Sequence, residues 1–223
     1  MSATRRPSSR GKPAPVRERR RDRDRTQAEI LEVATAEFAE HGFSGARVDE
    51  IAERTRTTKR MLYYYFGNKE GLYVAVLERA YAGIRAAEQS IDVDHLDPCT
   101  AIRRLAELTF DHHEEHPDFI RLVTIENIHR GEHMSDRLAN LNTPAIDLIA
   151  RILERGRADG VFARDVDAID VHMMISAFSV FRVANRHTFG TIFRRDPLDP
   201  ARREHYRRMV GDMVVDYLTA AGA

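Results

Sequence analysis

The chain has 223 residues, 43% of them hydrophobic, enough for one or two domains with a sizeable core and too apolar for a chain disordered throughout. No apolar run approaches the roughly 20 residues that span a bilayer, and the basic N-terminus lacks the apolar stretch of a secretory signal. One cysteine, Cys99, excludes an intrachain disulfide and a multi-cysteine metal site, which fits a reducing cytoplasmic location.

The formal net charge of zero hides an asymmetry. Residues 1–25 carry ten Lys/Arg against three Asp/Glu, residues 26–72 six against eight, and the remainder nineteen against twenty-four. The basic charge therefore sits in an N-terminal arm. Residues 1–23 mix Pro, Ser, Gly and Arg without an apolar period and read as a disordered basic arm. Such an arm either finds phosphates through counterion release or is a solvated tail.

From Thr26 a helical period begins. TQAEILEVATAEFAEHGF places Ile30, Ala34 and Phe38 on one stripe, and Gly42 supplies the stop. ARVDEIAERT is a short second helix with Val48, Ile51 and Ala52 inward. After a break at Thr55–Thr57, TKRMLYYYF makes a third. Its spacing puts Leu62, Tyr65 and Phe66 on the core side, and Lys59, Arg60, Tyr63 and Tyr64 on the other.

Asn68 is a good N-cap for a fourth, long helix, KEGLYVAVLERAYAGIRAAEQSI, that joins this small unit to the rest. Asp97 caps a fifth that opens with Pro98 and stops before Pro117. A sixth ends near Gly131. A seventh, broken at Pro144, runs to Gly160. Asp165 or Asp167 caps an eighth, DAIDVHMMISAFSVFRVANRHTF, and ARREHYRRMVGDMVVDYLTAA is a ninth. No segment alternates as a strand does. The expectation is an all-α fold of about nine helices, with a head at 24–70 and a body at 71–223.

The last two helices look too apolar for one core to cover. Phe178 and Phe181 on the eighth, with Met209, Met213 and Tyr217 on the ninth, predict a two-fold four-helix interface between copies of the chain; the alternative is a central core helix of a monomer.

No GxGxxG after a strand, GxxxxGK[ST], HExxH or GxSxG occurs, and no cofactor is expected. His112 and His116 lie one helical turn apart beside Glu115, a pair that would hold a divalent metal if more ligands joined it. Pro117 stops the helix there, so a polar helix end is the simpler reading, and a metal-dependent enzyme stays the minor alternative.

Helix, short turn and helix, the second bearing outward basic and aromatic groups, is the helix-turn-helix plan. A short helix with outward Lys, Arg and Thr fits the major groove and touches base edges, while tyrosine hydroxyls and lysines on the rim reach phosphates.

The stretch from Arg25 to Val76, through ILEVATAEFAEHGF, VDEIAERT and TKRMLYYYFGNKEGLYVAVL, resembles the TetR/AcrR-type regulators. The resemblance implies an N-terminal DNA-binding head, a C-terminal ligand-binding and dimerising body, and repression relieved by a small ligand. It places Arg47 at the entry of the second helix. Thr57, Thr58, Lys59 and Arg60 fall at the base-facing start of the recognition helix, and Tyr63, Tyr64 and Lys69 where family members hold phosphates. Glycine is common in the family's turn; here Arg56 stands there, where a positive φ costs about 1 kcal/mol, or where the side chain adds a phosphate contact.

NRHTFG, residues 185–190, resembles a subgroup that regulates small-molecule catabolism. A ligand pocket between the fifth and eighth helices would draw on Phe110, His113, Phe119, Glu126, His129, His172, Met174 and Phe178, and would suit a polar or anionic aromatic ligand. The expected partners are double-stranded DNA bearing a palindromic operator, a small-molecule effector and a second copy of the chain. Activation of transcription, or DNA binding without an effector, remains the alternative to repression.

Overall fold

The computed structural model describes the backbone of residues 16–220 and side chains from residue 20 onward. Among the described residues there are ten α-helices and no strand. They are α1 (Val16–Gly45), α2 (Val48–Arg54), α3 (Lys59–Phe66), α4 (Lys69–Gln89), α5 (Pro98–Glu115), α6 (Pro117–Ile128), α7 (Asp136–Ala158), α8 (Ala168–Ala184), α9 (Arg186–Phe193) and α10 (Pro200–Thr219). No helix among them is long and apolar enough to cross a membrane.

The caps expected from sequence are present. Asn68 accepts from the Gly71 N–H at 2.7 Å, Asp97 from Thr100 at 3.0 Å, and Asp167 from Ile169 at 2.8 Å. Gly42 leaves helical geometry at φ 67° and ψ 177°, which no side-chain-bearing residue adopts easily, and it kinks α1 where a stop was expected.

Three boundaries differ from the expectation. The disordered arm was placed at 1–23, but α1 already runs from Val16, so residues 16–23 are helical; the part of the arm at 1–15 lies outside the described residues. The Asp22–Arg25 and Arg25–Glu29 pairs, one helical turn apart, accompany that extension. Pro144 does not break the seventh helix. It sits exposed inside α7, and the Asn142 side chain donates to the Leu138 carbonyl at 2.8 Å beside it. The eighth helix was expected to run on through Phe189; it stops at Asn185 (φ −100°, ψ 10°), and α9 follows to a left-handed cap at Arg194.

Ile30, Ala34, Phe38, Ile51, Leu62, Leu72, Tyr73 and Val76 fill the core of the head, which also takes in Leu122 and Leu138 from the body. A second core joins α5, α7, α8 and α10 through Ile102, Leu105, Phe110, Ile152, Val171, Ile175 and Val214. An ionic ladder binds α5 to α8 and α10. Glu114 meets Arg182 at 2.9 Å and Arg203 at 3.1 Å, and Arg207 meets Glu107 and Asp111 at 3.0 Å each.

Head and body meet at a buried carboxylate. Tyr73 donates its hydroxyl to Glu126 at 2.8 Å, and the His133 backbone N–H donates to the other oxygen of Glu126 at 3.1 Å. The His133 ring packs on Phe43 at 4.4 Å and on Tyr73 at 4.8 Å.

Candidate nucleic-acid interface and interior polar cluster

The turn before α3 is built by backbone hydrogen bonds. The Thr57 N–H donates to the Ala52 carbonyl at 2.9 Å and the Arg56 N–H to Glu53 at 3.0 Å, the paired bonds that close a helix through a left-handed residue. That residue is Arg56, at φ 52°. Thr58 then caps α3, accepting from the Met61 N–H at 3.2 Å.

Leu62, fully buried, pins the helix to the core, while Thr58, Lys59, Arg60 and Tyr64 are exposed and Thr57, Tyr63 and Tyr65 half-buried. Tyr65 and Phe66 were expected in the core with Leu62; both remain at its edge. The guanidinium of Arg23 lies 6.0 Å from the Tyr64 ring and 5.7 Å from that of Tyr65.

α3 is seated on α4 with no slack, because a Cβ added at Gly71 would come within 2.0 Å of the Phe66 carbonyl oxygen. Lys69 lies 5.2 Å from the Phe43 ring centre and donates to the Ser44 carbonyl at 3.3 Å. Lys59 is paired with Asp49 at 3.2 Å and Arg47 with Glu50 at 3.1 Å, so a phosphate or base edge has to displace a carboxylate to engage either. These partners, and Arg23, were not anticipated: a carboxylate one helix away leaves no signal in local spacing.

The eight residues proposed for a pocket do not converge. His129 is exposed at the C-cap of α6, because that helix ends at Ile128. Glu126 belongs to the head–body junction. Phe110 lies under the Arg182 guanidinium, 3.8 Å from its ring centre, and Met174 and Phe178 pack against the body core.

His113, Phe119 and His172 do share one region of the interior, and Arg85, Glu88, Tyr81 and His112 join them there. Phe119 lies 5.2 Å from Tyr81, 6.1 Å from His112 and 5.7 Å from His113, centre to centre. Arg85 and Glu88 are buried and meet at 3.1 Å. Nε and Nη1 of Arg85, Oε2 of Glu88 and Nδ1 of both His112 and His113 have no hydrogen-bond partner.

Burial governs the charges here. It lowers His112 to about 4 and His113 to about 3, with neighbouring cationic groups adding to the shift, and it holds His172 down as well. It raises Glu88 to about 7 even though Arg85 pulls the other way. Arg85 was missed because an arginine on a helix reads as a solvated residue, yet it shares the inward stripe of Leu77, Tyr81, Ile84 and Glu88.

His112 and His116 stack at 4.1 Å, and His116 Nδ1 lies 2.9 Å from the His112 carbonyl oxygen. Among the described residues no three His, Cys, Asp or Glu side chains converge as metal ligands. On the outside of the body, Ile169, Met173 and Phe181 of α8 and Met213 and Tyr217 of α10 are exposed, as are Ile192 and Phe193 of α9. Of the residues expected on an interface, Met209 and Phe178 are half-buried instead.

Two family profiles match the chain. "Bacterial regulatory proteins, tetR family" covers residues 30–76, and "Tetracyclin repressor-like, C-terminal domain" covers residues 98–214. The HTH-type transcriptional repressor NicS of Pseudomonas putida is 34% identical over 194 residues, 86% of this chain and 92% of NicS. The HTH-type transcriptional repressor SCO4008 of Streptomyces coelicolor is 33% identical over 73% of this chain and 81% of its own. Among solved structures, the putative transcriptional regulator SCO4942 of Streptomyces coelicolor aligns at a TM-score of 0.66 and 29% identity, over 84% of this chain and 97% of that one. PfmR of Thermus thermophilus aligns at 0.64 and 26% identity, over 86% and 99%. Head, turn, recognition helix and helical body thus agree with sequence kinship along most of the length, and the chain belongs to the TetR family of DNA-binding transcriptional regulators, not to an enzyme family.

Proposed function

We propose that the protein is a homodimeric repressor that holds a palindromic operator and releases it when a small molecule occupies the body. The observation that carries this reading is α4. One helix of 21 residues, about 31 Å long, seats the recognition helix at Gly71 and carries the buried Arg85–Glu88 pair near its other end. A change around that pair that tilts α4 moves α3.

In this reading Lys59 and Arg60, with Thr57 and Thr58, face the bases, while Arg47, Tyr63, Tyr64 and Lys69 hold phosphates. The exposed stripes of α8 and α10 pair with those of a second copy as a four-helix bundle, which sets the two recognition helices about 34–36 Å apart, one DNA turn. The effector favours a conformation with the wrong separation, and a coupling of about 1–3 kcal/mol is enough to empty the operator. Such a regulator works in the cytoplasm, on the nucleoid.

Selection of genomic fragments on the purified full-length protein, with the bound sites sequenced, tests it. An enriched palindrome bound by two copies is expected. Salt-sensitive binding blind to sequence would sink the reading.

A further inference from the structure

The interior polar cluster is an expensive arrangement for a domain that only has to fold. A buried polar atom left without a partner is destabilising, and Arg85, Glu88, His112 and His113 each leave at least one. Arg85 meets Glu88 through Nη2 as an ion pair at 3.1 Å. Whichever edge of the guanidinium Glu88 occupies, the other edge still offers two parallel N–H donors, the pattern that matches a carboxylate.

Charge and shape narrow the guest. The imidazoles of His112 and His113 stay neutral, so the cationic character of the cluster rests on Arg85, and Glu88, raised to about 7, offsets it only in part. One partly balanced cation suits a monoanion; a dianionic phosphate would leave a buried charge unpaired. The walls are rings, with Tyr81, His112 and His113 set edge-on or tilted around Phe119, and they suit a flat apolar body better than a flexible chain. The two free imidazole nitrogens offer hydrogen bonds to a ring substituent. A cleft of about 350 Å³ between α1, α4, α5 and α6 is lined by Ala80, Gly83, His112 and Phe119, so two rings of the cluster also border the outside. Arg85 and Tyr81 do not line that cleft, so a guest entering from it reaches them past His112 and Phe119.

Resting on the reading that a small molecule acts through the body, we infer that this molecule is a small aromatic monocarboxylate whose carboxylate binds Arg85 and whose ring lies against Phe119 and Tyr81. Its binding gives Arg85 a second anion, competes with Glu88, and so loads the end of α4 remote from the recognition helix.

The test is calorimetric titration of the full-length protein, without DNA, with benzoate, 4-hydroxybenzoate and salicylate, each beside its uncharged amide. Saturable binding of at least one acid is expected, with its amide at least about tenfold weaker. Arg85→Met should weaken the acid by about thirty-fold or more. Should Arg85→Met fail to fold, Arg85→Lys keeps the charge but loses the planar fork, and a loss of about tenfold is expected.

No saturable binding of any of the three acids up to about 10 mM would overturn the inference, as would equal affinity for acid and amide, or an Arg85 variant that binds like the wild type. Release of the operator by the same acid is measured separately. An acid that binds through Arg85 without releasing DNA leaves the site standing and removes the induction mechanism proposed above.

Discussion

The head and the body are buried to a similar degree but in different chemistry. In the head, Phe38, Ile51, Leu62 and Leu72 are sealed from solvent, and the buried polar groups have partners: Glu37 accepts the Arg47 N–H at 3.0 Å, and Tyr73 donates to Glu126. Among the described residues, none of the unpartnered buried side-chain atoms lies in the head; Arg85, Glu88, His112, His113, Arg164, Ser179 and Arg182 of the body each leave at least one. A surface that must present a recognition helix at one angle gains from a dry, fully satisfied core, which admits a single packing. An interior that must answer to a ligand cannot be satisfied beforehand, or the ligand would have nothing to add.

The contrast breaks most readily in the head. Phe38 is fully buried and edge-on to Tyr73 at 4.8 Å, so Phe38→Ala should cost about 3–5 kcal/mol. Denaturant titration should then show the head melting ahead of the body and DNA binding lost with it, while the oligomeric state holds. In the body the sign reverses. Replacing the buried pair together, Arg85→Met with Glu88→Met, removes two desolvated groups whose mutual contact satisfies them only in part. The expected change is neutral or a gain of about 1–4 kcal/mol. A loss as large as that of Phe38→Ala would mean that the cluster is an ordinary structural ion pair.

These two regions were unequally legible in the sequence. The head announces itself because local rules decide it: the stripe of Ile30, Ala34 and Phe38, the stop at Gly42, the cap at Asn68 and the motif around Tyr63–Phe66 all act within a few residues. The body is decided by neighbours far along the chain. Nothing near Arg85 signals that α5 and α6 will close over it, nor near Glu126 that its partners will be Tyr73 and His133, and His129 missed the interior because α6 ended one residue too soon. The Asn185 break was invisible for another reason: no Gly or Pro marks it, and the apolar residues continue across it.

Acid sharpens the comparison through buried groups of the body. His112 and His113, free to protonate near 6.5 in the unfolded chain, resist protonation down to about 4 and 3 in the folded one. The stability they contribute is complete above 6.5 and is lost as pH falls from there toward those values, at about 1.4 kcal/mol per pH unit for each. Glu88 acts oppositely: raised from 4.5 to about 7, it contributes fully below 4.5 and loses that contribution as pH rises to about 7. Denaturation midpoints between pH 4.5 and 6.5 should therefore fall with acid in the wild type. The double change His112→Gln with His113→Gln should shift the slope by nearly two protons, toward the opposite sign that Glu88 imposes. An unaltered slope would place the acid sensitivity elsewhere.

The smallest expected effect returns to the head, at the one point where its local rules conflict. Arg56 takes a left-handed conformation at φ 52° because the bonds from Thr57 to Ala52 and from Arg56 to Glu53 require it, not because arginine favours it. Arg56→Gly relieves that strain and should stabilise the head by up to about 1 kcal/mol, less whatever the freer unfolded chain returns. If the side chain is there for a phosphate, the same change should lower affinity for all DNA sequences alike and make binding less steep in salt, by about one ion in the slope. Greater stability with unchanged DNA binding would make Arg56 a tolerated defect of the turn. Greater stability with uniformly weaker binding would mean that the strain is kept for a contact, and that the otherwise relaxed head departs from its own packing rules only where it meets DNA.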